Sequence, residues 1–349
     1  LESLGCKCVF TSELKEDLQR LYEINFPDTP RIEGDITKVD LSSIPHHDIL
    51  CAGFPCQPFS KAGKKQGVAD YRGTLFEVIV NIVEKKKPNY FVLENVNSLL
   101  YMDAGKHFRT ILSALSSLDY KIEWRVFNAV SFGLAQHRER VIIIGSKNTP
   151  FNDSFFVDEN DIPNISTEAL DTIARYDRWK HIEQSREKFK TWGMALNGMF
   201  VSTDIPERQY APRIKLRDIV EENVAPSFDF TEDTLERIKK SQYVNKFYNG
   251  VQIIYNQAGG ARMGYSIFGT DGTSPTLTAS TSRHYERYKI GEKYRRLTNI
   301  EYARLQGFPD NHCKATSPYN QYKLFGNAVP PQIISYVFSR ITCGNLYHF

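Results

Sequence analysis

The feature that most narrows the fold lies at residues 48–60, DILCAGFPCQPFS, where an apolar run stops abruptly at a glycine and two prolines. Ile49, Leu50, Cys51 and Ala52 read as a buried strand, because a short continuous apolar run bounded by turn residues suits a strand covered on both faces. Gly53, Pro55 and Pro58 end it, so Cys56 is delivered at the strand's C-terminal edge in a loop stiffened by proline rings. In open α/β sheets ligands bind at that edge. A thiolate is a strong nucleophile near neutral pH, so a Cys presented this way suits covalent catalysis. Taken alone, a buried structural thiol is the plainer reading, and the remaining chain has to decide between them.

The segments around this stretch alternate strand and helix. Residues 6–12 read as a short strand closing on Glu13, residues 15–26 as a helix stopped by Pro27, and Gly34-Asp35 precedes the strand at 49–52. That alternation predicts a doubly wound, mostly parallel α/β sheet with Glu13 and Asp35 at its ligand edge. Carboxylates there can accept from ribose hydroxyls or an amino group, or simply cap helices. Residues 60–74, SKAGKKQGVADYRGT, mix glycines with Lys61, Lys64, Lys65 and Arg72, which suits either a basic lid over a nucleic acid or a plain surface loop. Helices are expected at 75–84 and 107–118, and strands at 90–93 and 121–128. The strand at 90–93 ends on Glu94-Asn95-Val96, placing a carboxyl group at a strand tip, where it could be held protonated to donate to a ring nitrogen. Gln136, Arg138 and Arg140 alternate at the start of another strand, which puts an amide and two guanidiniums on one face.

The later chain is less regular. Residues 151–213 show no clean period beyond a charged, helix-like span at 183–192, and two short helices are expected at 214–224 and 231–241. Residues 257–288, QAGGARMGYSIFGTDGTSPTLTASTSRHYERY, are glycine-rich and basic, a poor core former but a plausible groove reader through Arg262, Arg283, His284 and Arg287. Taken alone, an ordinary glycine-rich β module is the plainer reading of them. RRLTNIEYARLQGFPD, from Arg295, carries a capping box, Thr298 with Glu301, and a helix stop at Gly307. Gly326-Asn327-Ala328-Val329-Pro330 leads into a last helix at 332–340.

At 349 residues and 41% hydrophobic content the chain can bury a substantial core in one large or two unequal domains. A formal charge of +3 favours an anionic partner only weakly. Six cysteines without a CxxC pair argue for a reducing compartment and against a zinc site. With no apolar run near the ~20 residues a span requires, and no signal peptide, a soluble, cytoplasmic protein is expected.

Five motifs in one order, GFPCQPFS, ENV, QHRER, RRLTxxExxRLQGFPD and GNAVPPQ, resemble the DNA (cytosine-5)-methyltransferase family of bacterial restriction-modification systems, over most of the chain. The resemblance implies S-adenosylmethionine as methyl donor and double-stranded DNA as substrate. It implies a smaller β-rich target-recognition domain at 213–317 beside a catalytic domain of 1–212 plus 318–349. Cys56 would add to C6 of a flipped-out cytosine, Glu94 would hold N3 and the amine, Arg140 the carbonyl O2, and Arg138 would support the pocket. Glu13, Leu14, Asp35, Ile36, Pro55, Leu75, Asn327 and Val329 would bind the cofactor. Gln57, Ser60, Lys64, Arg72, Gln136, Arg262, Thr276, Arg283 and Arg287 would contact DNA. A monomer is expected, with a restriction endonuclease acting on the same site as its partner. The family's opening strand and glycine-rich FxGxG turn are not found, so the given chain is expected to lack them; a silent DNA-binding homologue and an RNA cytosine methyltransferase remain alternatives.

Overall fold

The computed structural model describes residues 1–55, 74–256, 266–279, 286–344 and 346–349. They form two compact units, one of 1–127, 140–207 and 335–349 and the other of 128–139 and 208–334. This departs from the expected boundaries, chiefly because 128–139 and 318–334 belong with the second unit. Side chains at 136 and 138 explain the difference: both are fully buried and bonded to main chain of that unit.

In the first unit the strands are β1 (Ile49–Gly53), β2 (Tyr90–Val96), β3 (Lys121–Asn128), β4 (Glu139–Ser146), a short outlying β5 (Asp153–Ser154), β6 (Lys180–His181), β7 (Trp192–Leu196) and β8 (Met199–Thr203). Seven of them make one sheet in the order β1-β2-β4-β3-β7-β8-β6. β1 and β2 pair in parallel, while β2–β4, β3–β7, β7–β8 and β6–β8 are antiparallel. The sheet is therefore mixed rather than mostly parallel. A parallel neighbour needs a crossover, which helix α2 (Leu75–Lys86) supplies between β1 and β2; β7 and β8 instead turn directly at Asn197-Gly198, both at positive φ (46° and 76°). Helices α1 (Glu16–Asn25), α3 (Lys106–Ser116) and α4 (Thr167–Ala174) complete the unit up to residue 207. Phe108, Ile111, Leu112 and Leu115 of α3 join Phe91, Leu93, Ile122, Trp124, Val141 and Ile143 of the sheet in one buried cluster.

Two further sequence expectations fail in this unit. Residues 6–12 form no strand, because the only ladder contact there is the parallel bridge of Ser12 with Glu33, among the described residues. Residues 183–191 are not helical, and Trp192 begins β7. The excursion at 151–207 is held by buried charges on β3. Glu123 accepts from Ser154 Oγ (2.5 Å), Phe155 N (2.7 Å) and Trp192 Nε1 (2.8 Å), and Arg125 clamps Asp161 at 2.9 and 3.0 Å.

The second unit carries a five-stranded sheet of β9 (Gln242–Tyr248), β10 (Val251–Asn256), β11 (Ser266–Phe268), β12 (Arg287–Ile290) and β13 (Lys293–Arg295), in the order β13-β12-β11-β10-β9. Its helices are α5 (Glu232–Lys239), α6 (Asn299–Leu305) and α7 (Pro318–Asn327). The helix expected at 214–224 is only a single 3-10 turn, Leu216–Asp218, whereas α7 was not foreseen. Helix α8 (Pro331–Thr342) leads to the tail strand β14 (Tyr347–His348), which pairs with β5. Among the described residues no helix is long and apolar enough to cross a membrane.

The start of α6 shows what the RRLTxxE spacing achieves. Thr298 Oγ1 accepts from Glu301 N (3.1 Å) and Glu301 returns to Thr298 N (2.7 Å), the expected capping box. The same buried carboxylate forks onto Arg295 at 2.7 and 2.8 Å, so one side chain caps the helix and neutralises a buried guanidinium. Removing one partner of such a pair strands the other charge. Glu301→Gln is expected to destabilise the fold by about 3 kcal/mol, read from denaturant unfolding; a loss under about 1 kcal/mol would contradict the role given to this pair.

Candidate active site

The site begins from strand register. In the parallel β1–β2 pair Gly53 lies opposite Glu94, and in the antiparallel β2–β4 pair Glu94 lies opposite Ile142 and Val96 opposite Arg140. Side chains alternate faces along a strand, so Glu94 and Arg140, offset by two positions, share one face as diagonal neighbours. Arg140 Nε accordingly meets Glu94 Oε1 at 2.8 Å. Both are mostly buried, with side-chain exposures of 10% for Arg140 and 19% for Glu94. Burial lowers the Arg140 pKa while the Glu94 charge and hydrogen bond oppose that shift. Glu94 thus lies within β2, two residues before the strand's end, beside a cation on β4.

The loop leaving β1 is anchored on the same strand. Asn95, buried on β2, donates from Nδ2 to the Phe54 carbonyl at 2.8 Å, and Phe54 packs its ring on Phe76 of α2 (5.3 Å). The main chain is therefore fixed two residues before Cys56. Reading the sequence missed Asn95; its position inside ENV, beside the carboxylate and on a strand paired with β1, was the available signal. Cys56, Gln57, Ser60, Lys64 and Arg72 lie outside the described residues, as do Arg262 and Arg283.

Glu13 and Asp35 come out at one end of a short parallel contact. Glu33 N donates to Thr11 O (3.0 Å), Glu13 N donates to Glu33 O (2.9 Å), and Ser12 Oγ donates to Gly34 O (2.6 Å). Asp35 also caps the following turn, accepting from Thr37 N (3.0 Å) and Thr37 Oγ1 (2.7 Å); these bonds lower its pKa. Glu13 Oε1 accepts from Lys15 N at 3.0 Å. Leu14 and Leu75 are exposed at 66% and 41%, Pro55 is exposed, and Ile36 is half-buried. Accessible carboxylates with uncovered apolar side chains match the needs of a ligand carrying ribose hydroxyls and a flat heterocycle. No group of three or more His, Cys, Asp or Glu is arranged to hold a metal ion among the described residues.

Residues expected on one ligand-facing strand face are separated. Arg140 lies in β4, while Gln136 and Arg138 precede that strand and are completely buried in the second unit. Gln136 donates to Leu305 O (3.1 Å) and accepts from Leu277 N (2.9 Å), which leaves it inside the unit rather than at a DNA-facing surface. Arg138 Nη1 donates to Leu277 O (3.0 Å), and Nη2 to Gly326 O (3.0 Å) and Ala328 O (2.7 Å). Thr276 Oγ1 donates to His137 O at 2.6 Å. Arg287 is half-buried on β12, and burial together with the charge of Arg237 lowers its pKa. Asn327 ends α7 and Val329 follows it within the second unit.

A family model described as C-5 cytosine-specific DNA methylase matches residues 1–343. The type II methyltransferase M.NgoBI of Neisseria gonorrhoeae is 35% identical over 337 residues, covering 95% of this chain and 85% of that protein. M.HpaII of Haemophilus parainfluenzae is 34% identical over 353 residues, covering 99% and 87%. Among solved structures, a Spodoptera frugiperda DNMT2 mutant aligns with TM-score 0.64 at 16% identity over 97% of this chain and 94% of that one, a likeness of fold. The S. pombe Dnmt2 methyltransferase gives TM-score 0.62 at 16% identity, over 99% and 94%. A match over nearly the whole chain, joined to identities above 30% across most of its relatives' length, means that the chain belongs to the C-5 cytosine-specific DNA methylase family.

Proposed function

We propose that this protein is the modification methyltransferase of a restriction-modification system, methylating C5 of a cytosine within a specific sequence of duplex DNA. Family membership carries the reaction class, and the relatives named type II methyltransferases support the setting. A restriction endonuclease acting on the same site, a cytoplasmic location in a prokaryotic cell and action as a monomer belong to this reading.

The chemistry assigned to the chain follows from cytosine, whose C5 is a poor nucleophile. The Cys56 thiolate adds to C6, forming an S–C6 bond and moving electron density to C5. Glu94 brings a proton to N3 and accepts from the exocyclic amine, and Arg140 donates to O2, so the negative charge gathering on the ring is met by groups already in place. The Glu94–Arg140 ion pair supports this assignment, since it holds a hydrogen-bond acceptor and a forked donor together on one sheet face. Asn95 holds the Phe54 carbonyl, two residues before Cys56 in the sequence. S-adenosylmethionine, when bound, supplies an electrophilic methyl group for C5. Glu13, Asp35 and the uncovered Leu14, Ile36, Pro55 and Leu75 are assigned to holding it, together with Asn327 and Val329. Loss of the C5 proton to a base and cleavage of the S–C6 bond restore the thiolate. Because C6 is stacked within a duplex, the base has to be swung out, at roughly a few kcal/mol. Lys64 and Arg72 in the segment after Cys56, with Arg262, Arg283 and Arg287, are assigned to the DNA.

The test is transfer of labelled methyl from S-adenosylmethionine to duplex DNA, with the modified sequence mapped by bisulfite sequencing. Transfer at one sequence context is expected, and Cys56→Ala is expected to reduce it to background; transfer surviving that change would remove the thiolate from the mechanism. Glu94→Gln, which keeps the shape but not the charge, is expected to lower single-turnover methyl transfer by about 100-fold or more. A rate within about threefold of the parent would contradict the role of Glu94.

A further inference from the structure

The stretch leading into β4 is stitched to the rest of its unit by a dense set of bonds. Residues 135–137 run beside Ser274 as a short parallel ladder: Ser274 N donates to Ala135 O (2.7 Å) and His137 N donates to Ser274 O (2.8 Å). Thr276 Oγ1 then reaches His137 O (2.6 Å), Leu277 N reaches Gln136 Oε1 (2.9 Å), and Arg138 Nη1 reaches Leu277 O (3.0 Å). Gln136 also binds Leu305 O at the end of α6, and Arg138 binds Gly326 O and Ala328 O at the end of α7. Gly326 itself has no room for a side chain, because a Cβ there would run into the Thr278 carbonyl. The backbone of Arg138 is pinned from both sides, its N–H on Asn128 Oδ1 (3.0 Å) and its carbonyl on Ala129 N (2.9 Å). Arg140 follows two residues later in the chain.

We propose that Gln136 and Arg138 are positioning residues that tie residues 274–277, within the 257–288 segment, to the placement of Arg140 through the continuous chain. This rests on the function proposed above and adds to it a route by which target recognition governs catalysis. Both side chains are wholly buried, the Gln136 amide and the two Arg138 Nη groups bonded to specific main-chain atoms, so neither reads a base directly. A shift of 274–277 on meeting the correct sequence moves the same atoms that hold 136–138, and a two-residue lever connects these to the guanidinium assigned to O2. Small displacements of a catalytic group suffice to change rates strongly. Specificity is then expressed partly in kcat and not only in binding.

The experiment is a double-mutant cycle in single-turnover methyl transfer, using Gln136→Leu, Arg140→Lys and the double variant on the mapped duplex and on one with a single altered base pair. Gln136→Leu is expected to slow transfer roughly tenfold on the correct duplex and to reduce discrimination against the altered one, with KM for S-adenosylmethionine unchanged. The double variant is expected to be no slower than the slower single variant by more than about twofold. Losses that multiply independently, or a Gln136→Leu enzyme with full rate and discrimination, would overturn the coupling. Should Gln136→Leu fail to fold, Thr276→Val serves in the same cycle, since it removes the bond to His137 O at constant shape. Thr276→Ser should restore rate and discrimination; Thr276→Val with both intact would overturn the proposal. Absence of methyl transfer by the parent enzyme would instead refute the function, a distinct result.

Discussion

An ion pair on adjacent strands, Arg140 Nε to Glu94 Oε1 at 2.8 Å, is the constraint that the proposed chemistry depends on. It exists because β2 and β4 pair antiparallel in a register that sets Arg140 opposite Val96, two places from Glu94 on the same face. A slip of one residue in either strand would send one of the two groups to the opposite face of the sheet. The apolar core under β2 and β4, with Phe91, Leu93, Val141 and Ile143 all fully buried, is what makes that slip costly. Packing and catalytic geometry are thus specified by the same alternation of side chains.

The surrounding main chain is treated in a consistent way. Buried polar side chains hold carbonyls and amides where strands and helices end and in the chain between them: Asn95 on Phe54, Gln136 on Leu277 and Leu305, Arg138 on the end of α7 and the chain beyond it. Such groups would be expensive to bury unsatisfied, and the bonds named run to backbone rather than to another flexible side chain. The motif residues therefore divide into two kinds. Some are assigned to meet substrate, and others fix the main chain that carries the first kind.

Local chemistry was legible in the amino-acid order. The capping box of Thr298 and Glu301, the helices near 16–25, 75–86 and 106–116, and the strand at 121–128 were all readable from period and end signals. Two Asn-Gly turns are equally legible: Asn197-Gly198 joins β7 to β8 and Asn249-Gly250 joins β9 to β10, with all four residues at positive φ. Ser317-Pro318, an N-cap followed by proline at the first helical position, likewise announces α7. What could not be read was tertiary. Nothing local in QHRER says that Gln136 and Arg138 turn inward while Arg140 enters a strand of the other unit, since that depends on which distant carbonyls accept their bonds. The double duty of Glu301, as cap and as partner of Arg295, is hidden for the same reason.

The central claim is that one thiol attacks a cytosine ring held by Glu94 and Arg140. It is tested most directly with duplex DNA in which 5-fluorocytosine replaces the methylated base, because fluorine cannot leave as the proton does and the adduct persists. Incubation with this duplex and S-adenosylmethionine should give a denaturation-resistant protein–DNA complex, and peptide mass spectrometry should place the nucleotide, carrying one added methyl group, on Cys56. A complex linked through any other residue, or none from an enzyme that methylates the ordinary duplex, would contradict the account.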